Sequence, residues 1–114
     1  MDRTRLFIKG KHTGPDLIIG RQMLINMDLV EVSITLSAVP TSAGLITIAR
    51  RDATDTDYNV IIRQLDPVAL NLTDLLCVGE PVMAYFQVRE YLDISYANPD
   101  ALDVAVRATM RGAK

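Results

Sequence analysis

The stretch from Gly79 to Leu92 reads GEPVMAYFQVREYL and includes Phe86, one of two phenylalanines in the chain. Its Gly-Glu-Pro start has turn chemistry, because glycine tolerates positive φ whereas proline fixes φ and lacks an N–H donor. From Val82 to Arg89 apolar side chains alternate with mixed ones, and Phe86 is among the apolar ones. Alternation sends successive side chains to opposite faces of a strand. The stretch therefore predicts the central strand of a sheet with one buried face.

Similar alternation predicts further antiparallel strands along the chain. It is clearest over residues 29–39 and 103–111, and shorter strands are predicted at 45–51 and 59–65. Turn residues separate these segments at intervals close to the roughly 8–12 residues typical of a sandwich or barrel. We predict an all-β fold, an antiparallel β-sandwich of jelly-roll type with about seven or eight short strands. The predicted core residues are Val30, Val32, Ile34, Ile46, Ile48, Val82, Phe86, Val88, Val104 and Val106.

The segment Leu70–Val78 is ambiguous in the sequence. It is compatible with a strand or with one helical turn capped by Thr73 or Asp74. Cys77, the only cysteine of the chain, lies in this segment in an apolar run without a basic neighbour. We interpret it as a small buried apolar residue rather than a nucleophile.

Composition limits the class of protein. The chain has 114 residues and a net charge of −2, with 49% hydrophobic but only 5% aromatic residues. This length corresponds to one domain with one sizeable core, and the negative charge argues against nucleic acid as a partner. No apolar run approaches the ~18 residues of a membrane span, so we expect no membrane partner and a place in the cytosol or in a particle assembled there. The aliphatic surplus indicates either permanent contacts with other subunits or a tight core of Val, Ile and Leu.

Charge is distributed unevenly along the chain. Residues 1–11 carry four basic side chains and one acidic one, and residues 107–114 carry three basic ones and no acidic one. Residues 52–103 carry ten acidic side chains and two basic ones. Basic ends on an acidic body suit a module that docks by its termini onto an acidic surface or a neighbouring copy.

The N-terminal segment has basic bias and poor alternation up to residue 28. We predict that residues 1–28 form an extended arm and edge segment that lies largely outside a sandwich domain of residues 29–114. The arm and the basic C-terminal strand would contact the partner. The candidate partner-binding residues are Arg3, Arg5, Leu6, Phe7, Ile8, Lys9, Lys11, Arg107 and Arg111.

The sequence contains no constellation for catalysis, metal binding or cofactor binding. His12 is the only histidine, which excludes a histidine-clustered metal site. The loop Asp55–Asn59 has oxygen ligands at calcium-loop spacing, but Val60 stands where that loop needs glycine, so a solvated connection is the better interpretation. Gly-rich phosphate loops are absent. We therefore expect no catalytic residues, no metal, no cofactor and no enzymatic activity.

Four segments of the sequence occur in the same order as the motifs of a known group of proteins. They are Ser42–Asp52 (SAGLITIARRD), Asp57-Tyr58, Gly79–Val88 (GEPVMAYFQV) and Leu102–Ala108 (LDVAVRA). Together they resemble small β-sandwich proteins of tailed-bacteriophage virions. In those proteins a glycine and x-I-x-I are followed by an acidic loop with an aromatic residue, then G-P-V-x-x-x-x-V and V-x-V-x-A. The resemblance covers about residues 42–109 of the sequence. The chain has Asp52-Ala53 where relatives often carry Asp-Gly, so a shared function of that loop is not implied.

The resemblance implies a structural role in a phage virion, assembled in the host cytoplasm. We expect a capsid decoration or cement protein that bridges shell subunits, with the major capsid protein or other virion subunits as partners. A homo-oligomer, dimer or trimer, is expected. The alternatives are a tail, fibre or baseplate component and a carbohydrate- or peptide-binding module. For carbohydrate the only candidate platform residues are Tyr58, Tyr85, Tyr91 and Tyr96.

Overall fold

The computed structural model describes residues 5–79 and 82–113. These residues form nine strands: β1 Arg5–Thr13, β2 Leu17–Gln22, β3 Met27–Leu36, β4 Ile46–Arg51, β5 Val60–Leu65, β6 Asp74–Val78, β7 Ala84–Phe86, β8 Tyr91–Tyr96 and β9 Asp103–Gly112. A 3₁₀ turn spans Thr56–Tyr58, and the short helix α1 spans Pro67–Leu70. Neither helical element of the described residues has the length or apolarity needed to cross a membrane.

The strands form two antiparallel sheets that pack face to face. The first sheet has the order β1-β9-β3-β6, with β7 paired to the other end of β3 beyond β6. The second has the order β2-β8-β4-β5. Apart from the consecutive strands β4 and β5, neighbours in each sheet are distant in sequence, as in the two Greek keys of a jelly roll. The all-β antiparallel sandwich predicted from alternation is confirmed.

The core lies between the sheets and follows the predicted inward faces closely. Val32, Ile34, Ile46, Ile48, Phe86, Val104 and Val106 are buried as predicted. Val30 is only half-buried because the register between β3 and β9 shifts after Leu29, which turns the next side chain out of the inward row. Val88 is exposed and Val82 half-buried, so the prediction was wrong for both.

The stretch Gly79–Leu92 is not one long central strand. Only three of its residues form β7, and a tight turn over 87–90 follows before β8 begins. Arg89 adopts φ of 78°, and the Glu90 carboxylate accepts from the backbone N–H of Gln87 at 2.6 Å. These local bonds end the strand although the alternation continues, because a side chain that satisfies the backbone competes with a sheet ladder. The central strands are β9 and β3 in one sheet and β8 and β4 in the other.

The ambiguous segment divides between the two structures that the sequence allowed. Helix α1 ends at Leu70, and its N-cap is Asp66, whose carboxylate accepts from the backbone N–H groups of Val68 and Ala69. The predicted caps, Thr73 and Asp74, were therefore wrong. Strand β6 follows and places Cys77 in the core.

The prediction of an N-terminal arm outside the sandwich needs correction. Residues 5–13 and 17–22 form the edge strands β1 and β2, which pair along their full length with β9 and β8. Ile8 and Leu17 are buried in the core, and a Cβ at Gly10 would lie 2.9 Å from Ile19 Cδ1, so the two edges pack directly together. Alternation was hidden in β1 because glycine and histidine occupy two of its inward positions. Residues 1–4 lie outside the described part of the chain. Whether residues 1–28 can be separated from 29–114 as a unit stays a prediction.

One buried amide ties the loops at one end of the sandwich together. Asn98 is fully buried, and its side-chain nitrogen donates to the carbonyl oxygens of Gly14 at 2.7 Å and Leu102 at 2.8 Å. Its side-chain oxygen accepts from the N–H of Leu102 at 3.1 Å. Nearby, the Asp100 carboxylate accepts from the backbone N–H groups of Thr41 and Ser42 at 2.6 and 3.2 Å. The β1–β2 turn and the β3–β4 loop are thereby held to the loop before β9.

Candidate functional site

Strand pairing collects the predicted basic residues on the outer face of the first sheet. Antiparallel partners point to the same face, and the register places Arg5 opposite Arg111 and Lys9 opposite Arg107. Lys11 follows on the same face of β1, opposite Ala105. These five side chains, Arg5, Lys9, Lys11, Arg107 and Arg111, are termed the basic cluster. The first and last strands thus carry these basic side chains on one surface.

The basic cluster is electrostatically unbalanced. Within the described residues, the salt bridge between Arg107 Nη2 and Glu31 Oε1, at 3.3 Å, is the only one that a member of the cluster makes. Like charges directly opposite each other in a sheet destabilise it. The Arg5–Arg111 and Lys9–Arg107 pairs are both of this kind. Sheet stability therefore does not account for this arrangement.

In the part of the chain that the structure describes, the surface around the cluster has shallow depressions rather than a deep cavity. One shallow depression of about 280 Å³ is lined by Lys9, Lys11, Arg107 and the hydroxyl residues Ser33 and Thr35. Carboxylates of a partner would find both cations and hydroxyl donors there. The depression fits protruding side chains better than an enclosed small molecule.

Apolar side chains complete the predicted set, and not all of them are accessible. Phe7 lies between the two like-charged pairs and is 50% exposed. Ile8 is buried in the core and is not available to a partner, whereas Leu6 is half-buried against the core. Arg3 lies outside the described residues. Sequence reasoning did not find Leu24, which is 82% exposed at a depression that Arg5 also lines.

The candidates for chemistry are occupied in structural roles. The His12 ring nitrogen Nε2, near the end of β1, lies 2.9 Å from the carbonyl oxygen of Pro15 in the turn that follows. Burial raises the pKa of the Cys77 thiol, against a smaller opposing effect of Arg63, so the nucleophilic thiolate is disfavoured. In residues 5–79 and 82–113 no group of three or more His, Cys, Asp or Glu side chains is arranged to hold a metal ion.

In the acidic loop that resembles a calcium loop, carboxylates accept hydrogen bonds from the backbone of the same loop. Asp52 Oδ2 accepts from the N–H groups of Thr54 at 3.0 Å and Asp55 at 2.9 Å, which lowers the pKa of Asp52. Asp55 Oδ1 accepts from the N–H of Asp57 at 2.9 Å. These bonds give the loop a fixed shape without a cation.

A second surface was not found from the sequence. Tyr58, in the 3₁₀ turn, and Tyr85, in β7, line one depression of about 360 Å³ together with Arg50, Asp57 and Gln87. Each tyrosine was recognisable as a candidate, but their proximity depends on packing between residues 27 positions apart. The other two tyrosines have structural roles, since Tyr96 is buried and the Tyr91 ring supports the Arg51 guanidinium at 3.9 Å.

The fold has known counterparts, although the sequence has none among family models or curated proteins. A chain of the acidic stable capsid structure of Helicobacter pylori bacteriophage KHP30 aligns over 96% of this chain and 93% of its own, with a TM-score of 0.56 and 12% identity. The crystal structure of the Yersinia pseudotuberculosis-derived mitogen covers 93% of this chain and 85% of its own, with a TM-score of 0.45 and 13% identity. The likeness to the phage capsid chain is one of fold. It agrees with the β-sandwich fold that the resemblance to phage virion proteins implies.

Proposed function

We propose that this protein is a non-enzymatic structural component of a phage virion, a decoration or cement protein that bridges subunits of the shell. The observation that carries the proposal is the basic cluster, in which the register places like charges opposite each other around an exposed Phe7. The shared fold with a phage capsid chain supports the virion as the setting. The proposal places the protein in virions assembled in the host cytoplasm.

A partner would relieve the repulsion between like charges that the isolated sheet leaves uncompensated. An acidic surface opposite Arg5, Lys9 and Arg107 would turn repulsive pairs into charge-assisted hydrogen bonds, which are about twice as strong as neutral ones. Long-range attraction would also speed encounter and fix orientation. Phe7 would then supply the apolar anchor at the centre of the contact.

The proposed partner is the major capsid protein or another virion subunit, met by several copies at once. A standard interface buries about 800 Å² on each partner, which is available on one face of a sandwich of this size. A symmetric oligomer, dimer or trimer, would present several basic clusters together. Multivalent attachment then makes removal slow without requiring a tight single contact.

The test compares shells assembled with and without the protein. Complete shells should rupture at a higher temperature than shells lacking it, as measured by release of packaged DNA during heating. Adding purified protein back should restore robustness, whereas adding it with Lys9→Glu and Arg107→Glu should not. Equal rupture temperatures for all samples would contradict a cementing role and would favour a tail, fibre or baseplate component.

A further inference from the structure

The tyrosine depression has the composition of a ligand site that the proposed function does not use. It lies where the loop after β4 meets β7 and the turn before β8, and shares no residue with the basic cluster. Three strand-to-strand steps across the first sheet separate the two surfaces, since one row across it reads Arg5, Arg111, Asp28, Tyr85. At about 4.8 Å between neighbouring strands, Tyr85 lies roughly 14 Å from the edge strand that carries the cluster.

The two tyrosine side chains are exposed in a protein that has few aromatic residues. Tyr58 is 65% exposed and Tyr85 40%, whereas Tyr96 and Phe86 are buried in the core. A tyrosine ring gives a flat apolar surface with few rotamers to freeze, and its hydroxyl can donate or accept. Two such rings beside one depression can cover the C–H face of a sugar ring.

Polar groups beside the rings are held in place before any ligand arrives. Arg50 Nη1 donates to the carbonyl oxygen of Tyr85 at 3.1 Å, which connects β4 of one sheet to β7 of the other. The turn that carries Gln87 is fixed by the bond from its N–H to Glu90. Asp52 is fixed by its bonds to Thr54 and Asp55. Preorganised groups of this kind reduce the entropy lost on binding.

The charge of the site selects the class of ligand. Among the described residues that line the depression, Asp52, Asp57 and Glu90 are acidic and Arg50 is the one cation, so this lining is acidic. Carboxylates accept hydrogen bonds from hydroxyl groups and repel anions. Aromatic platforms beside carboxylate and amide acceptors match a ring that has an apolar face and a hydroxyl edge.

We propose that this depression binds a neutral hexopyranose ring of a surface polysaccharide. Tyr58 and Tyr85 stack against the ring, and Asp57 and Gln87 bond its hydroxyl groups. The site gives a particle-bound copy a means of holding glycan, independent of its attachment to the shell.

The experiment is a titration of the isotope-labelled protein by NMR with the methyl pyranosides of glucose, galactose, mannose and N-acetylglucosamine. At least one sugar should shift the amide signals of residues 52–60 and 84–90. Tyr58→Ala should weaken that binding about ten-fold, as removal of an aromatic anchor does, while Tyr58→Phe should retain most of it. Because Tyr85 pairs with β3, Tyr85→Phe serves as the second variant, and Phe7→Ala is the control for an exposed aromatic residue elsewhere.

Several results would overturn the inference. Absence of shifts with all four sugars excludes a neutral hexose site, and stronger binding of methyl N-acetylneuraminate contradicts the charge argument. Unchanged binding by Tyr58→Ala excludes this location. Attachment of the Tyr58→Ala protein to shells should equal that of the unaltered protein, so failure of the glycan site and failure of the shell-binding function are measured separately.

Discussion

The two sides of the sandwich are closed in different ways. On the β1–β2 side the edge strands pack directly, with Gly10 against Ile19, and Asn98 bonds the turn between them to the loop before β9. On the β5–β7 side the edges carry exposed apolar residues such as Ile61 and Leu76. There the long side chain of Arg50 spans the two sheets. The stability of the fold therefore depends most on the β1–β2 side. The loops of the β5–β7 side contribute less to closing the sandwich and can form a binding site.

The largest expected effect comes from removing residues 1–11 on the β1–β2 side. The deletion takes most of β1 and the buried Ile8 out of the first sheet and uncovers the edge of β9. We expect loss of the cooperative urea transition measured by circular dichroism. Lys9→Ala with Lys11→Ala is the matched control, because it removes charge and keeps the strand. A truncated chain of full stability would show that residues 1–28 are separable, as the sequence boundary predicts.

The two phenylalanines differ in burial, so truncating each of them should cost different amounts of stability. Phe86 in β7 is fully buried, whereas Phe7 in β1 is half exposed. Phe86→Ala should cost roughly 3–5 kcal/mol of the free energy of unfolding, because it leaves a cavity between the sheets. Phe7→Ala should cost less than about 1 kcal/mol. Denaturant titration of both variants measures the loss in free energy of unfolding, and equal losses would contradict the assigned core.

Asn98 tests whether one buried amide holds the β1–β2 side. Asn98→Ala leaves the Gly14 and Leu102 carbonyl groups without their side-chain donor, at a cost of about 1–3 kcal/mol for each buried group left unsatisfied. Asn71→Ala is the control for backbone strain, because φ is 55° there and 52° at Asn98. A loss no larger than that of Asn71→Ala would assign the effect to the backbone alone.

A smaller loss of stability is expected when the pH is lowered. Hydrogen bonds from Ser42 and Thr41 lower the pKa of Asp100 to about 2. Because the pKa is lower in the folded than in the unfolded chain, the stabilisation is present above about pH 4 and is lost as the pH falls through about 2. Asp100→Asn should lower the Tm at neutral pH and flatten its decline over that window. Asp74→Asn, an exposed carboxylate in β6, should leave the decline unchanged.

The sequence predicted the parts of the fold that depend on regular alternation. Strands β3, β4 and β9 lie within a few residues of their predicted bounds because their buried apolar side chains recur at alternate positions, and β5 was found from its β-branched run Val60–Ile62. The predicted central strand failed because the turn after Phe86 is fixed by a side chain, Glu90, which alternation does not register. Strand β1 was missed because its inward face includes Gly10 and His12.

The candidate site was only partly predictable for a related reason. Charge counting found the basic residues at both ends of the chain, but their alignment as like-charged pairs depends on the β1–β9 register. Ile8 was assigned to a partner because the inward face of β1 was not recognised. Tyr58 and Tyr85 line the same depression although they lie 27 positions apart, and no local pattern in the sequence encodes that proximity.

The central claim is that the basic cluster attaches this protein to a shell. The most direct measurement is co-sedimentation of the purified chain with nuclease-treated shells that lack it. The unaltered protein and Arg63→Glu, a charge reversal in β5, should sediment equally, whereas Lys9→Glu should remain in the supernatant. Attachment should also weaken as salt rises from about 0.1 M to about 1 M, where the Debye length falls from about 10 Å to about 3 Å. Equal sedimentation of Lys9→Glu and Arg63→Glu would contradict the claim.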